Sequence, residues 1–259
     1  MLFAVDVGNT NIHVGLFRDC ETVYSFCIGT DPRRTSDEYA LLLANMAMLG
    51  GYRTEDFDRA IIGSVVPSVT ETLTAAVKKM LGFAPLVIGP GIKTGFSIRV
   101  DNPSELGADL AANTAGAISI VGAPVIVVDF GTATTLSVVG EDRSYLGCCI
   151  LPGIGMSLSA LAGTELLPGV NVSSQIPVLG TNSADSMNAG VIRGQAMAIT
   201  GLTRELIRAK NFPSDTPVLI TGGYGDRMVR YLPEKTRYIP DLTLKGLQVI
   251  DSANRKNNR

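Results

Sequence analysis

The chain has 259 residues, 46% of them hydrophobic and 18% charged, with a net charge of −2. That is enough apolar chain for one large core or two moderate ones, and it lacks the clustered basic charge of a nucleic-acid surface. Four cysteines with no CxxC spacing and a single histidine, His13, exclude the usual zinc ligand sets, so chemistry has to rest on carboxylates, backbone amides and bound cations.

Strands are expected at 2–7, 12–18 and 22–28. The opening residues, Met1-Leu2-Phe3-Ala4, run straight into the first strand without a basic leader, so no signal peptide is expected. The turn between the first two strands reads Asp6-Val7-Gly8-Asn9-Thr10-Asn11, followed by Ile12 and His13. Gly8 allows a sharp bend and close approach of a ligand, and the short polar residues after it suit a phosphate chain. A carboxylate before such a turn suits Mg²⁺, which prefers oxygen ligands and bridges phosphates. Taken alone, a bare acidic hairpin explains this segment equally well.

A helix opens at Arg34-Thr35-Ser36-Asp37-Glu38-Tyr39, with Tyr39, Leu42, Leu43 and Met46 on one face, and ends at Gly50-Gly51. A short strand at 60–62, a helix at 67–81 with Pro67 in its first turn, and a strand at 85–88 follow. Asn102-Pro103-Ser104-Glu105 is a turn with Ser104 as cap, leading into a helix over 105–120. Gly107 is then expected inside that helix, at a cost of about 1 kcal/mol relative to Ala, which hints at close approach by a ligand or another backbone. Asp109, Asn113 and Gly116 share one helical face; for Asp109, catalysis, capping and packing all remain open on spacing alone.

The second half repeats the first. Strands at 124–129, 133–139 and 144–151 enclose Asp129-Phe130-Gly131-Thr132-Ala133-Thr134-Thr135, again an apolar strand, Asp, one apolar residue, Gly, a hydroxyl-rich turn and a strand. Two such turns, one per half, suggest a duplicated α/β architecture with phosphate loops facing across a cleft. Adjacent Cys148 and Cys149 are expected as buried thiols on opposite strand faces. Further elements are a helix at 156–164, a long helix at 186–210, a strand at 218–221 running into Gly222-Gly223, and a helix at 242–251. The polar tail, 254–259, is expected to fray. The longest apolar tract, 117–128, is broken by Ser119, Gly122 and Pro124 and is too short to span a bilayer, so a cytoplasmic protein is expected. Neither GxxxxGK[ST] nor GxGxxG occurs, which removes P-loop and Rossmann readings.

Asp6-x-Gly8-Asn9-Thr10, Ser64-Val65-Val66-Pro67, Asn102-Pro103, Gly107-Ala108-Asp109, Asp129 to Thr135, Pro152-Gly153, Gly222-Gly223 and Asp241 to Leu247 resemble, in order, the motifs of type III pantothenate kinases. The likeness runs from residue 2 to about residue 250. It implies the acetate and sugar kinase/Hsp70/actin (ribonuclease H-like) fold in two similar lobes, 1–115 and 116–259, with an interlobe cleft. It also implies ATP-dependent phosphorylation of pantothenate to 4′-phosphopantothenate, the first step toward coenzyme A. By that pattern Asp6, Val7, Gly8, Asn9, Thr10, Asn11, Ile12 and His13 form the first phosphate loop, and Asp6 helps hold Mg²⁺. Thr132 touches ATP, and Asp129 binds a monovalent cation, K⁺ or NH₄⁺. Gly107, Ala108, Asp109, Leu110 and Ser183 hold pantothenate, with Asp109 as general base. The resemblance implies a homodimer whose neighbouring subunit completes each substrate pocket.

The chain departs from the pattern at three places. Leu110 stands where the family usually has Arg, Ser183 replaces a Thr, and Cys148-Cys149 replaces glycine or small residues. Two other readings share the fold: a nucleotide-binding regulator without catalysis, and a kinase for another small hydroxylated acid or sugar.

Overall fold

The computed structural model describes residues 1–164, 166–173 and 175–255. Most of the expected fraying tail, 256–259, lies outside the described residues. The elements are, in chain order, β1 (Leu2–Val7), β2 (Asn11–Arg18), β3 (Glu21–Gly29), α1 (Ser36–Leu49), β4 (Arg59–Ser64), α2 (Pro67–Leu81), β5 (Leu86–Val87), β6 (Ser97–Ile98), α3 (Ala108–Val121), β7 (Val125–Phe130), β8 (Ala133–Val139), β9 (Ser144–Pro152), α4 (Ile154–Ala162), α5 (Ser183–Asn188), α6 (Gly194–Ala209), β10 (Val218–Thr221), α7 (Gly225–Met228), β11 (Thr236–Tyr238) and α8 (Leu242–Asn254). They form two compact units. One comprises 1–97, 101–120 and 241–259, the other 98–100 and 121–240.

In the first unit the sheet order is β3-β2-β1-β4-β5. β1 pairs antiparallel with β2 and parallel with β4, so Asp6 lies opposite His13 on one side and Gly63 on the other. β1 is buried on both faces, as a central strand beside a parallel neighbour should be. Phe3, Val5 and Val7 pack with Tyr39 and Leu43 of α1 and with Val69, Leu73 and Val77 of α2. Leu2 and Ala4 face the other way, onto Ala112 and Ala115 of α3 and Leu244, Leu247 and Ile250 of α8.

α1 starts in a capping box. Thr35 Oγ1 accepts from Glu38 N at 3.3 Å, and the Glu38 carboxylate accepts from Thr35 N at 2.7 Å. α2 has Pro67 in its first turn and stops at Gly82, whose φ of 80° only glycine adopts freely.

The second unit carries the order β11-β10-β7-β8-β9-β6. Without the edge strand β6 this is the first sheet again, with β7, β8, β9, β10 and β11 in the places of β1, β2, β3, β4 and β5. Asp129 pairs with Thr135 of β8 and Thr221 of β10, which matches the register of Asp6. Ile126, Val128 and Phe130 form a core with Ile154 and Leu158 of α4 and Ile192, Ala196 and Ile199 beside α6.

Several expectations need correction. The helix placed at 105–120 begins at Ala108, after a separate 3₁₀ turn over Pro103–Glu105. That turn is capped by Asn102, whose side-chain oxygen accepts from Ser104 N at 3.2 Å, and not by Ser104. Gly107 therefore precedes the helix and carries no interior-helix penalty. The long helix is α5 and α6 joined by a π-type turn over Ala189–Arg193. Cys148 and Cys149 are half-buried, not buried. The division expected at residue 115 also differs from the compact units, because α8 packs with β1 and α3 of the first unit. Among the described residues no helix is long and apolar enough to cross a membrane.

Candidate functional site

In the first unit the chain leaves β1 at Asp6 and Val7 and turns through Gly8 to Asn11. Gly8 N–H donates to Asn11 O at 2.9 Å, closing the turn. A Cβ on Gly8 would lie 3.1 Å from that same oxygen, which explains the glycine. Thr30, just past β3, clamps the turn from outside. Its hydroxyl donates to Gly8 O at 2.7 Å and its N–H to Thr10 O at 3.0 Å. Asn9, Thr10 and Asn11 are exposed, Asp6 is half-buried, and the side chains of Val7 and Ile12 are fully buried. What Val7 and Ile12 can offer a ligand is backbone. His13 stands exposed on β2; crowding on one side lowers its pKa while the Asp241 carboxylate pulls the other way.

The start of α3 comes to the same end of this sheet. A Cβ on Gly63, the β4 residue opposite Asp6, would lie 3.7 Å from Ala108 Cβ. One residue further, Val65 N–H donates to Val7 O at 3.1 Å, and Val65 Cγ1 would lie 3.6 Å from a Cβ on Gly107. That same Cβ would sit 2.6 Å from Asp109 Oδ1. A side chain on Gly107 would press on the Asp109 carboxylate as it is seated and would need it to rotate. Asp109 Oδ1 accepts from Leu110 N at 2.7 Å. Burial pushes the Asp109 pKa above the ordinary carboxylate value, against the pull of the Leu110 and Asp109 amides. Leu110 is half-buried.

Gly116, on the same helical face as Asp109 and Asn113, faces α8. Its Cβ would lie 2.7 Å from Leu242 O, and a Cβ on Gly246 would lie 1.7 Å from Ala112 O. The two helices cross backbone to backbone, and Thr243 Oγ1 donates to Asn113 Oδ1 at 2.7 Å beside the crossing. Asn113 and Gly116 hold the helix that carries Asp109.

In the second unit the Asp129 turn is framed by glycines from three elements. Gly131 N–H donates to Ala133 O at 3.1 Å. A Cβ on Gly153, at the start of α4, would lie 2.0 Å from Thr132 O. Gly222, with φ of 90°, leaves a notch where a Cβ would meet Asp129 Oδ1 at 2.4 Å and Phe130 O at 2.6 Å. Thr132 is exposed and Asp129 half-buried. Gln195, a residue the sequence did not single out, braces this turn. It accepts from Thr134 Oγ1 at 3.1 Å and donates to Pro152 O at 2.7 Å. Nothing in its neighbourhood in the chain marks it.

Ser183 is the first residue of α5, whose cap Asn182 accepts from Asp185 N at 2.9 Å. It lines an open cavity of about 530 Å³ together with Leu161, Thr181 and Met187. Ser183 belongs to the second unit, whereas Gly107 to Leu110 belong to the first.

Among the described residues no three His, Cys, Asp or Glu side chains cluster as a metal cage. The half-buried Asp6 carboxylate at its turn is a donor of the kind Mg²⁺ takes, since Mg²⁺ binds through one or two carboxylates, water and phosphate oxygens.

A family model described as type III pantothenate kinase matches residues 2–205. A type III pantothenate kinase from Bifidobacterium animalis subsp. lactis is 42% identical over 259 residues, covering 98% of this chain and 100% of its own. One from Halalkalibacterium halodurans is 38% identical over 256 residues, with the same coverage. The chain belongs to the type III pantothenate kinase family.

Solved structures of low identity share the acetate and sugar kinase/Hsp70/actin fold. A Baf family protein from Campylobacter jejuni superposes with a TM-score of 0.62 at 19% identity, covering 97% of this chain and 98% of that one. The activator of the 2-hydroxyisocaproyl-CoA dehydratase from Clostridium difficile, with bound ADPNP, gives 0.57 at 13%, covering 100% and 99%. As a type III pantothenate kinase family member, the chain is a kinase that uses ATP with a divalent metal.

Proposed function

We propose that this chain transfers the γ-phosphoryl group of ATP to the primary hydroxyl of pantothenate, giving 4′-phosphopantothenate, with Asp109 as general base. The observation that carries this reading is the seating of Asp109. Its carboxylate is part-buried over Gly107, held by the Leu110 amide, at the end of the sheet where Gly63 and Val65 flank Asp6 and Val7. Phosphoryl transfer through a loose transition state needs aligned phosphates, neutralised charge and a carboxylate near the attacking hydroxyl, without a strong base or a covalent nucleophile. A chain with one histidine meets that demand.

In this reading the turn from Asp6 to His13 receives the phosphates, and Asp6 helps hold the Mg²⁺ that accompanies them. Thr132 contacts ATP. Gly107 to Leu110 and Ser183 bind pantothenate, and the alcohol's proton passes to an Asp109 carboxylate oxygen as its own oxygen attacks phosphorus. Asp129 is the monovalent-cation residue; its half-buried carboxylate is the kind of oxygen donor that K⁺ or NH₄⁺ takes.

A homodimer is supported by an unpartnered face in the second unit. Gly194 and Gly201 of α6 have open space above them, and Met197 between them is 69% exposed. Leu166, Val178 and Leu179 are exposed in the same unit. A helix face of small residues around one large apolar side chain suits close packing against a second copy.

ADP release from purified protein with ATP, Mg²⁺, K⁺ and pantothenate, omitting each in turn, tests the assignment. Release that needs pantothenate and K⁺ is expected. Nucleotide binding without turnover would favour the regulator, and turnover only with another acceptor would favour a different kinase.

A further inference from the structure

Gln195, the second residue of α6, is only 9% exposed, and it sits in a run whose Ile192, Ala196 and Ile199 belong to the apolar core. A buried amide costs free energy unless its polar atoms are met, and a methionine of similar volume would fill the space without that demand. The two bonds it makes are directional. Pro152 offers only a carbonyl oxygen, so the amide turns Nε2 toward it at 2.7 Å. Oε1 is then left to accept from Thr134 Oγ1 at 3.1 Å.

Those two partners flank the Gly131–Thr132 turn. Thr134 of β8 pairs with Phe130 of β7, just before the turn, and with Leu151 of β9. Pro152 ends β9 opposite Ala133. The next residue, Gly153, is pressed onto the turn itself, since a Cβ there would lie 2.7 Å from Gly131 O and closer still to Thr132 O. Slack at Pro152 therefore passes through Gly153 to the backbone of the turn. Gln195 also comes two residues after the π-type turn at Ala189–Arg193. Such a turn changes the phase of the helix beyond it and is frequent at functional sites. The same helical run begins at Ser183, so one rod carries a proposed pantothenate contact at its start and the brace of the nucleotide turn further along.

We infer that Gln195 is a positioning residue of the nucleotide site. It acts without touching ATP, and sets ATP affinity by holding Thr134 and Pro152 at one spacing, and through Gly153 the backbone of Gly131 and Thr132. This role rests on the proposed contact of Thr132 with ATP. A binding turn locked by buried hydrogen bonds needs no further ordering when its ligand arrives, so releasing the brace weakens binding and leaves the reacting groups in place.

The test is calorimetric titration of the full chain with a non-hydrolysable ATP analogue and Mg²⁺ in K⁺ buffer, and separately with pantothenate. Gln195→Met keeps the volume and removes both hydrogen bonds, and Thr134→Val keeps the shape and removes one of them from the other side. Arg208→Ala, exposed on the same helix, is the control. The first two variants are each expected to weaken the analogue about five- to tenfold. Their pantothenate affinity, and both affinities of the control, should stay within about twofold of wild type. The double variant should lose no more than Gln195→Met alone, because both changes break one connection. In turnover the KM for ATP should rise by a larger factor than kcat falls. A lowered Tm and kcat with both affinities intact would mean a purely structural role and overturns the inference. Equal weakening of both ligands, or additive losses in the double variant, overturns it too. If Gln195→Met does not fold, Thr134→Val decides by the same measure. Weakening as stated in a chain that does not turn over supports the brace and removes the kinase reading, whereas a wild type that binds no analogue overturns both.

Discussion

In the proposed reaction Asp109 carries the proton transfer on one carboxylate. Its pKa is raised in the folded protein, chiefly by burial. The sign follows from linkage: a raised folded pKa contributes stability below the unfolded value, near 3.8, and that contribution is lost as pH rises through the folded pKa. At neutral pH the ionised group is a burden on the fold. Asp109→Asn should therefore lose about 10²–10⁴-fold in turnover while its Tm is held or slightly raised. Thermal unfolding against pH should show the variant's advantage opening above the folded pKa and closing in acid. In the wild type kcat/KM should climb across that same pKa. Gly107-Ala108-Asp109 made Asp109 legible, but its spacing put Gly107 inside a helix that starts only at Ala108. The carboxylate folds back over Gly107, a contact that the spacing of the residues did not show.

At the scale of elements, β1 with α3 and α8 explains why the site is held. Arg59 at the start of β4 donates to buried Asp251 of α8 at 2.5 Å, tying that helix to the sheet. Gly246 lets α8 lie on the Ala112 backbone of α3. Gly246→Ala should destabilise by roughly 1–3 kcal/mol through overpacking, read as a fall in Tm of about 2–4 °C for each kcal/mol. Turnover should fall with it, because the displaced helix carries Asp109; unchanged Tm and rate would show that the crossing has slack. The strands and helices around the two acidic turns were legible because alternation and turn chemistry are local signals. Asn102 as the cap was legible in principle, since Pro103 at the first position of the turn puts the capping role on the residue before it. The π-type turn was not, because apolar spacing over 186–210 is equally consistent with an unbroken helix. The return of α8 to the first unit is a contact across most of the chain, and no local pattern encodes it.

For the whole molecule, the repeated sheet order β3-β2-β1-β4-β5 and β9-β8-β7-β10-β11 shows that the duplication read from Asp6 and Asp129 extends to topology and register. Each unit places its acidic residue at the same strand end, beside a glycine-framed turn. What sequence periodicity left hidden is the outward face of α6, where exposed Met197 lies between two glycines. If that face joins two copies, Met197→Glu should shift the protein from dimer to monomer in light scattering and raise the KM for pantothenate. A variant that stays dimeric would remove α6 from the interface.

The central claim is that Asp109 receives the hydrogen of the acceptor alcohol while the Gly8 turn holds the phosphates. A crystal structure with a non-hydrolysable ATP analogue, Mg²⁺ and pantothenate addresses both parts at once. The account predicts the Asp109 carboxylate within about 2.6–3.2 Å of the pantothenate primary hydroxyl, and phosphate oxygens on the backbone amides of the Gly8–Asn11 turn. A pantothenate hydroxyl facing another group, with Asp109 still turned toward Leu110 N–H and away from the substrate, would contradict it.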